Sequence, residues 1–519
     1  MACSLLSCPL LLRSRRSLIW LALVVFGCGS RTGLSVFERA SGGVGESTSG
    51  QPSLGGNPAP GGNATGGAGG RPIGGGVAGR PTGVGAGGAH GGVAGTSSGG
   101  AAGIAVGGAL AGEPNAGDTG EGGTGGEPPH TPLPVELALG AFTTCVRFDD
   151  GSMRCWGTRS YIGSGHDETI GDDETPDVLP PVEIGARVSQ ISNSWYHTCA
   201  VLESGKLRCF GDGHYGMLGY GNTETLGDDE APASAGDVIV GGKVRQVSVG
   251  AEHTCALLEN GKLRCWGRNH DFQLGFADGA NIGDDESPAS AGFVDVGAPV
   301  LQVAASVFHT CALIEGNHVR CWGTGGRLGY GNNETIGDDE TIGSAGNVDV
   351  GGKVVQLAAG MQHTCALLDT GNVRCWGLAD EGRLGYGNSE NIGDDETPAD
   401  AGDVDIGGKV IQIAADAYGT CALLERGSVR CWGSGQFGEL GYGNTEDIGD
   451  DETPADAGDV PLGAKATYID VGFLHACAIL ETGAVRCWGR AAPGCLGYGN
   501  VEDIGDDETP ADAGDVRLQ

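Results

Sequence analysis

The chain has 519 residues, 66 acidic against 30 basic side chains, a formal net charge of −36, 102 Gly and 18 Cys. This balance excludes a nucleic-acid surface, which needs clustered Lys and Arg against phosphates, and argues against attachment to anionic lipid by charge alone. Aromatic residues make up 6%, too few for one large aromatic core, and length alone would allow three or four domains.

The first element is a leader. Arg13, Arg15 and Arg16 precede the apolar run Leu18 to Phe26, a basic region followed by a stretch too short to span a bilayer comfortably. The run ends Val25-Phe26-Gly27-Cys28 and resembles a bacterial lipobox, whose Cys is lipidated and becomes the first residue of the mature protein. The resemblance implies a signal peptide over residues 1–27 and lipidation at Cys28. Phe26 stands where a lipobox has a small or β-branched residue, and the alternative is an ordinary secretory signal with an incidental Cys. Gly29, in place of Asp, implies the outer membrane or cell surface of the envelope.

Residues 28–130 are dense in Gly, Ala, Pro, Ser and Thr, with no Trp, no Tyr and no Cys after Cys28. Such a segment buries too little apolar surface to offset its chain entropy, so we expect a disordered tether. A coil of ~100 residues has a root-mean-square span on the order of 50–60 Å.

Over residues 131–519 one unit recurs seven times. Its first Cys falls at 145, 199, 255, 311, 365, 421 and 477, in steps of 54 or 56 residues. That length fits a four-stranded propeller blade, and short β-branched runs between Gly-rich turns indicate strands. Every unit but the first is preceded by a segment such as Asp403–Gly407. The chain stops after its counterpart, Gly514-Asp-Val-Arg-Leu-Gln519. We therefore expect an all-β, seven-bladed ring in which this C-terminal strand completes the first blade, since an open array would expose sheet edges.

The pattern Gly-x-x-His-Thr-Cys-Ala-Leu-Leu, then Gly-x-Val-Arg-Cys-Trp-Gly, then Leu-Gly-Tyr-Gly resembles the regulator of chromosome condensation repeat. It covers about residues 134–519 in all seven copies. The resemblance implies a seven-bladed β-propeller and, because that family serves many binding roles, says little about function.

Fourteen Cys form seven C-x9-C pairs: Cys145 with Cys155, Cys199 with Cys209, Cys255 with Cys265, Cys311 with Cys321, Cys365 with Cys375, Cys421 with Cys431, and Cys477 with Cys487. A three-residue loop such as Glu259-Asn260-Gly261 sets each pair opposite on a hairpin. Its last position, which wants a left-handed residue, is Gly in six units and Asn317 in the fourth. In an exported protein these read as disulfides; C-x9-C lacks the C-x2-C spacing of a zinc site. Cys495 is left over, as a buried thiol or an intermolecular link. His197, His253, His309, His363 and His475 have no partner at ligand spacing and are expected to hydrogen-bond within their own blades. An Arg precedes each second Cys, at positions such as Arg264 and Arg374, and should need a carboxylate if buried.

Gly-Asp-Asp-Glu occurs seven times, with Asp pairs 172/173, 228/229, 284/285, 338/339, 394/395, 450/451 and 506/507. Its fixed place after the last strand puts all copies on one rim. Three readings stay open for Asp172, Asp173, Asp228, Asp229, Asp284, Asp285, Asp338, Asp339, Asp394, Asp395, Asp450, Asp451, Asp506 and Asp507: turn caps pairing the blade Arg, Ca²⁺ ligands, or a docking face for a basic partner. Ca²⁺ is the one cofactor these residues suggest, although Asp-Asp-Glu lacks the alternating acids of known Ca²⁺ loops.

The sequence carries no nucleophile elbow, no His-Glu-x-x-His and no P-loop. We expect a lipid-anchored, monomeric protein-binding or scaffold module, not an enzyme, with a protein partner, no nucleic acid and membrane contact through the anchor alone. The alternatives are exchange activity on a small GTPase, as for the name-giving family member, or secreted enzyme inhibition. The deviant stretches Asn269–Asp278 and Tyr161–His166 are the first places to look for a partner site.

Overall fold

The structure, a computed structural model, describes residues 130–165 and 168–519. The leader, Cys28, the tether and His166 lie outside the described residues.

Each unit folds as one three-stranded antiparallel sheet, giving seven sheets whose strands follow sequence order. The inner strands are Pro134–Leu139, Val188–Asn193, Val244–Val249, Val300–Ala305, Val354–Ala359, Val410–Asp416 and Ala466–Val471. The middle strand of blade five, His363–Leu368, is buried along its whole length, as a strand covered on both faces must be. Opposite it, Val373–Gly377 places Cys375 across from Cys365.

The other six blades repeat this register. Cys145 faces Cys155, Cys199 faces Cys209 and Cys255 faces Cys265. Cys311 faces Cys321, Cys421 faces Cys431 and Cys477 faces Cys487. In all seven pairs the sulphurs stand at bonding distance, 2.06–2.10 Å.

The hairpin turn is as the spacing predicts. Gly261 has φ +76° and Asn317, its counterpart, φ +63°; Gly261 N donates to Leu258 O at 2.9 Å.

Two expectations change in detail. The fourth strand of each blade is reduced to a short segment: in blade five Val404 N donates to Val373 O at 2.9 Å, and no ladder follows. Left-handed Gly402 and Gly407 (φ +82° and +70°) close the segment at both ends, leaving only Val404 and Ile406 to bury. One-turn helices such as Pro398–Ala401, capped by Thr397 and Asp400, precede it. The second change is at the seam of the ring. Val516 N, in the C-terminal segment, donates to Val485 O of the last blade at 2.9 Å, and among the described residues the segment's one hydrogen bond to the first blade is from Gln519 to Pro132 O. The C-terminal strand therefore bridges the seam without adding a ladder to blade one. Direct contacts between blades seven and one complete the closure, among them Leu139 N to Asp470 Oδ2 at 2.8 Å.

The core is continuous around the ring. Trp156, Trp266, Trp322, Trp376, Trp432 and Trp488 are fully buried, with Phe210 in the same place in blade two. Burial of each Trp contributes about 4–6 kcal/mol as an upper bound.

Candidate functional site

The loops joining inner to middle strands and those leaving the outer strands emerge on the same face. Their tips carry the residues in which the repeats differ. Near the axis Trp195 of blade two and Phe473 of blade seven meet edge to face with ring centroids 4.8 Å apart. Blade one, between them, offers only Ala141 at that position. Tyr418 packs on Phe473 at 5.5 Å, Tyr196 on Trp195 at 5.9 Å, and Tyr161 on Tyr196 at 6.1 Å. All five rings are half-buried, a hub suited to protein contact. Around it guanidinium groups stack on rings: Arg327 over Phe308, Arg383 over Tyr418 and Arg490 over Phe437, at 5.1–5.2 Å.

The paired cysteines hold the blades and stay out of this surface. Cys155, Cys209, Cys321, Cys431 and Cys487 are buried with their partners Cys145, Cys199, Cys311, Cys421 and Cys477.

The Gly-Asp-Asp-Glu turns lie further out. Within triplets 172–174, 228–230, 284–286, 338–340 and 394–396 one ligand oxygen from each residue lies within 4.8 Å of the others. Crowding shows in the acidities: burial, then the hydrogen bond and charge of the adjacent Asp, push Glu174, Glu396, Glu452 and Glu508 up to about 7. Each cluster thus has the oxygen set for a hard cation.

The blade Arg do not pair with these acids. Arg208, Arg374, Arg430 and Arg486 bond Asp237, Asp403, Asp459 and Asp515 at 2.7–3.0 Å, each in the short fourth segment. Arg320 takes Asn347 at 2.9 Å, and Arg264 stacks on Phe293 at 4.0 Å. The sequence expectation failed because it matched charge to the most abundant acid, and in four units a nearer carboxylate lies eight or nine residues beyond the Asp pair. The rim acids are left without those cations.

The His side chains also bond differently from expectation. His197, His253, His309, His363 and His475 reach Thr254, Thr310, Thr364, Thr420 and Thr144 of the following blade at 2.7–2.9 Å. In the seam between blades two and three, Thr254 and Trp266 both donate to Met217 O. Burial holds His197, His253, His309 and His475 down at about 3, so they are neutral bonding groups. Cys495 is buried, and its carbonyl accepts from Thr144 and Trp156 across the closing seam.

A second clasp was not singled out from the sequence, although its Gln recurs at one place in five of the units. Gln190, Gln246, Gln302, Gln356 and Gln412 line the central channel, and each side-chain amide both donates to and accepts from the backbone of the next blade, as Gln356 does with Ile413 O and N at 2.8 and 3.0 Å. A bulge after Val354 turns Gln356 toward its neighbour. The channel, about 230 Å³, also holds Glu136, Asp416 and Asp470. Burial raises all three carboxyls, Asp416 to about 7 and Asp470 to about 8.

Of the two deviant stretches, that of blade three is structural: Asn269 and Gln273 are fully buried, and Gln273 O accepts from Thr310 and Trp322. That of blade one contributes Tyr161 to the hub. Trp195, Tyr418 and Phe473 were not singled out from the sequence; for Trp195 and Phe473 the signal was a large ring at a loop tip where the other units carry Ala, Val or Met, whereas the position of Tyr418 is aromatic in several units.

Seven three-stranded sheets arranged in a ring, with the differing residues on the loops of one face, define the class: a seven-bladed β-propeller module. Residues 108–447 match the RCC1-like domain and residues 466–491 the regulator of chromosome condensation (RCC1) repeat, and the chain belongs to the RCC1-like domain family. It is 29% identical over 350 residues to the ultraviolet-B receptor UVR8 of Arabidopsis thaliana, covering 66% of this chain and 74% of that one. It is also 29% identical over 371 residues to the E3 ubiquitin-protein ligase HERC2 of Homo sapiens, covering 69% of this chain but 7% of that protein. Among solved structures, yeast RCC1 (Prp20) bound to Kap60 superposes with a TM-score of 0.56 at 18% identity, covering 75% of this chain and 85% of that one.

Proposed function

We propose that this propeller is an exported, lipid-anchored protein-binding module without catalytic activity, and that its loop face docks a basic protein partner. The observation that carries the reading is the arrangement on one face of an aromatic hub and an outer ring of carboxylates that the blade Arg leave unpaired. Such a face steers a cationic partner from a distance and offers apolar anchors at its centre. The leader and Cys28 support export and anchoring. Palmitate labelling and membrane fractionation test that part, and a cytoplasmic location would overturn it. Pull-down with the full chain from surface extracts tests the docking part: a partner retained by the native protein and lost on Trp195→Ala supports it, and retention unaffected by Trp195→Ala and by salt would end it.

The oxygen geometry of the acidic triplets favours a second occupant of the rim, Ca²⁺. Calorimetric titration of chelated protein tests it; no heat and no melting shift would remove it.

A further inference from the structure

Two of the seven seams lack the His–Thr clasp: blade one has Thr143 in place of the His but faces Thr198, whereas one seam has lost both partners. Between blades six and seven the His position is Gly419 and the Thr position is Ala476, so neither half of the bond is present. At this seam, with Gly419 in its wall, lies a crevice of about 10 Å³, also lined by Tyr418, Glu439, Phe473, Leu474 and His475. That is about the space of one water-sized group. Glu439 is 7% exposed. Its Oε2 accepts from Phe437 N at 2.6 Å, while Oε1 has no hydrogen-bond partner. A buried carboxylate oxygen without a partner costs several kcal/mol or keeps its proton. Burial does push Glu439 up to about 7, against the smaller opposite pull of the backbone amides and the Ser434 hydroxyl. Tyr418 and Phe473, half-buried and edge to face at 5.5 Å, stand at the crevice. His475, neutral because burial lowers it to about 3, adds no positive charge. Arg383, on the blade-five side of Tyr418, is paired with Glu381 at 3.4 Å.

We propose that this crevice receives the ε-ammonium of a Lys on the partner protein. The proposal rests on the basic-partner reading and gives it an anchor. An ammonium matches the volume and supplies the missing donor to Glu439 Oε1, beside an aromatic wall in which Tyr418 already carries the Arg383 guanidinium over its ring at 5.2 Å. A guanidinium, with four heavy atoms in a plane, exceeds the volume. The acidic rim delivers cationic chains without distinguishing Lys from Arg, so the crevice is where that distinction arises.

The test uses the full chain, with oligolysine and oligoarginine of equal length as probes in calorimetric titration. The expected result is tighter binding of oligolysine, by about tenfold, equivalent to about 1.4 kcal/mol. Glu439→Gln should erase the preference and leave the salt-dependent rim binding common to both peptides. The double variant Gly419→His with Ala476→Thr refills the seam with the pair found in five others. It should also erase the preference, while melting at or above the native temperature. Equal affinity of the native protein for both peptides, or a preference that survives both variants, overturns the crevice and leaves the rim standing. Binding of neither peptide overturns the basic-partner reading with it.

Discussion

At Asp470 a carboxyl group accepts from Leu139 N across the closing seam, and burial raises it to about 8; Asp416, in the same channel, is raised to about 7. An unfolded Asp titrates near 3.9. Between that value and the folded one, the folded chain holds a proton that the unfolded chain has released, so each group makes stability fall as pH rises from about 4 to about 8. The buried His act in the opposite sense. Folded values of about 3 against an unfolded value of about 6.5 mean that stability is lost as pH falls through that interval. Asp416→Asn and Asp470→Asn keep size and acceptor. We expect each to raise the melting temperature at pH about 8 and to flatten its decline above pH about 5 relative to the native protein. The rim Glu titrate in the same window in both proteins, so the difference isolates the channel. An unchanged slope would mean that these carboxyls are not neutral in the fold.

Within the blade, what could be read from the sequence was local. The hairpin follows from Cys255, Cys265 and Gly261, three residues close enough in the chain to fix turn and register together. Gly261→Ala meets only ordinary contact, with Pro299 Cβ at 3.4 Å, so its cost is the left-handed backbone alone, about 1 kcal/mol. Asn317→Gly relieves the same backbone strain but removes the bond from Asn317 Nδ2 to Val354 O at 2.8 Å, so the two changes offset and a net loss below about 1 kcal/mol is expected; chemical denaturation midpoints compare the two variants. If the seven Cys pairs are oxidised, non-reduced peptide mapping of the propeller will find no free thiol except Cys495, and losing one link will cost at most about 3 kcal/mol. The clasps between blades were not legible, because each joins residues 55–57 positions apart, or 331 apart at the closing seam, and their complementarity appears only once the ring is built. Gln356→Glu shows how specific the amide is. It removes the donor to Ile413 O and buries a charge, which blade one tolerates at Glu136 only beside Arg147 at 2.6 Å. A loss of about 1–3 kcal/mol is expected; a native denaturation midpoint would show that the amide bonds do not hold the seam.

Across the whole molecule the decisive quantity is the charge of −36 and where the fold puts it. Four of the seven blade Arg are engaged by Asp237, Asp403, Asp459 and Asp515, and other bases pair with acids on the opposite, hairpin side, as Lys409 does with Glu425. The Gly-Asp-Asp-Glu rim is left to repel itself, and this repulsion adds to burial in holding protons on its Glu toward neutral pH. Self-repulsion of exposed carboxylates is screened over about 10 Å at 0.1 M salt, close to the scale of one triplet. Raising NaCl from about 10 mM to about 0.15 M should therefore raise the melting temperature at pH 8, and less so at pH 5, where the crowded Glu are already protonated. The same salt should weaken any basic partner, because the field that destabilises the free ring is the one that attracts it. Ca²⁺ separates the two uses of the rim: a rise in melting temperature beyond that given by Na⁺ at equal ionic strength marks coordination by the triplets. Equality of the two ions leaves the rim as a field, with the Lys crevice and the aromatic hub to supply the contact.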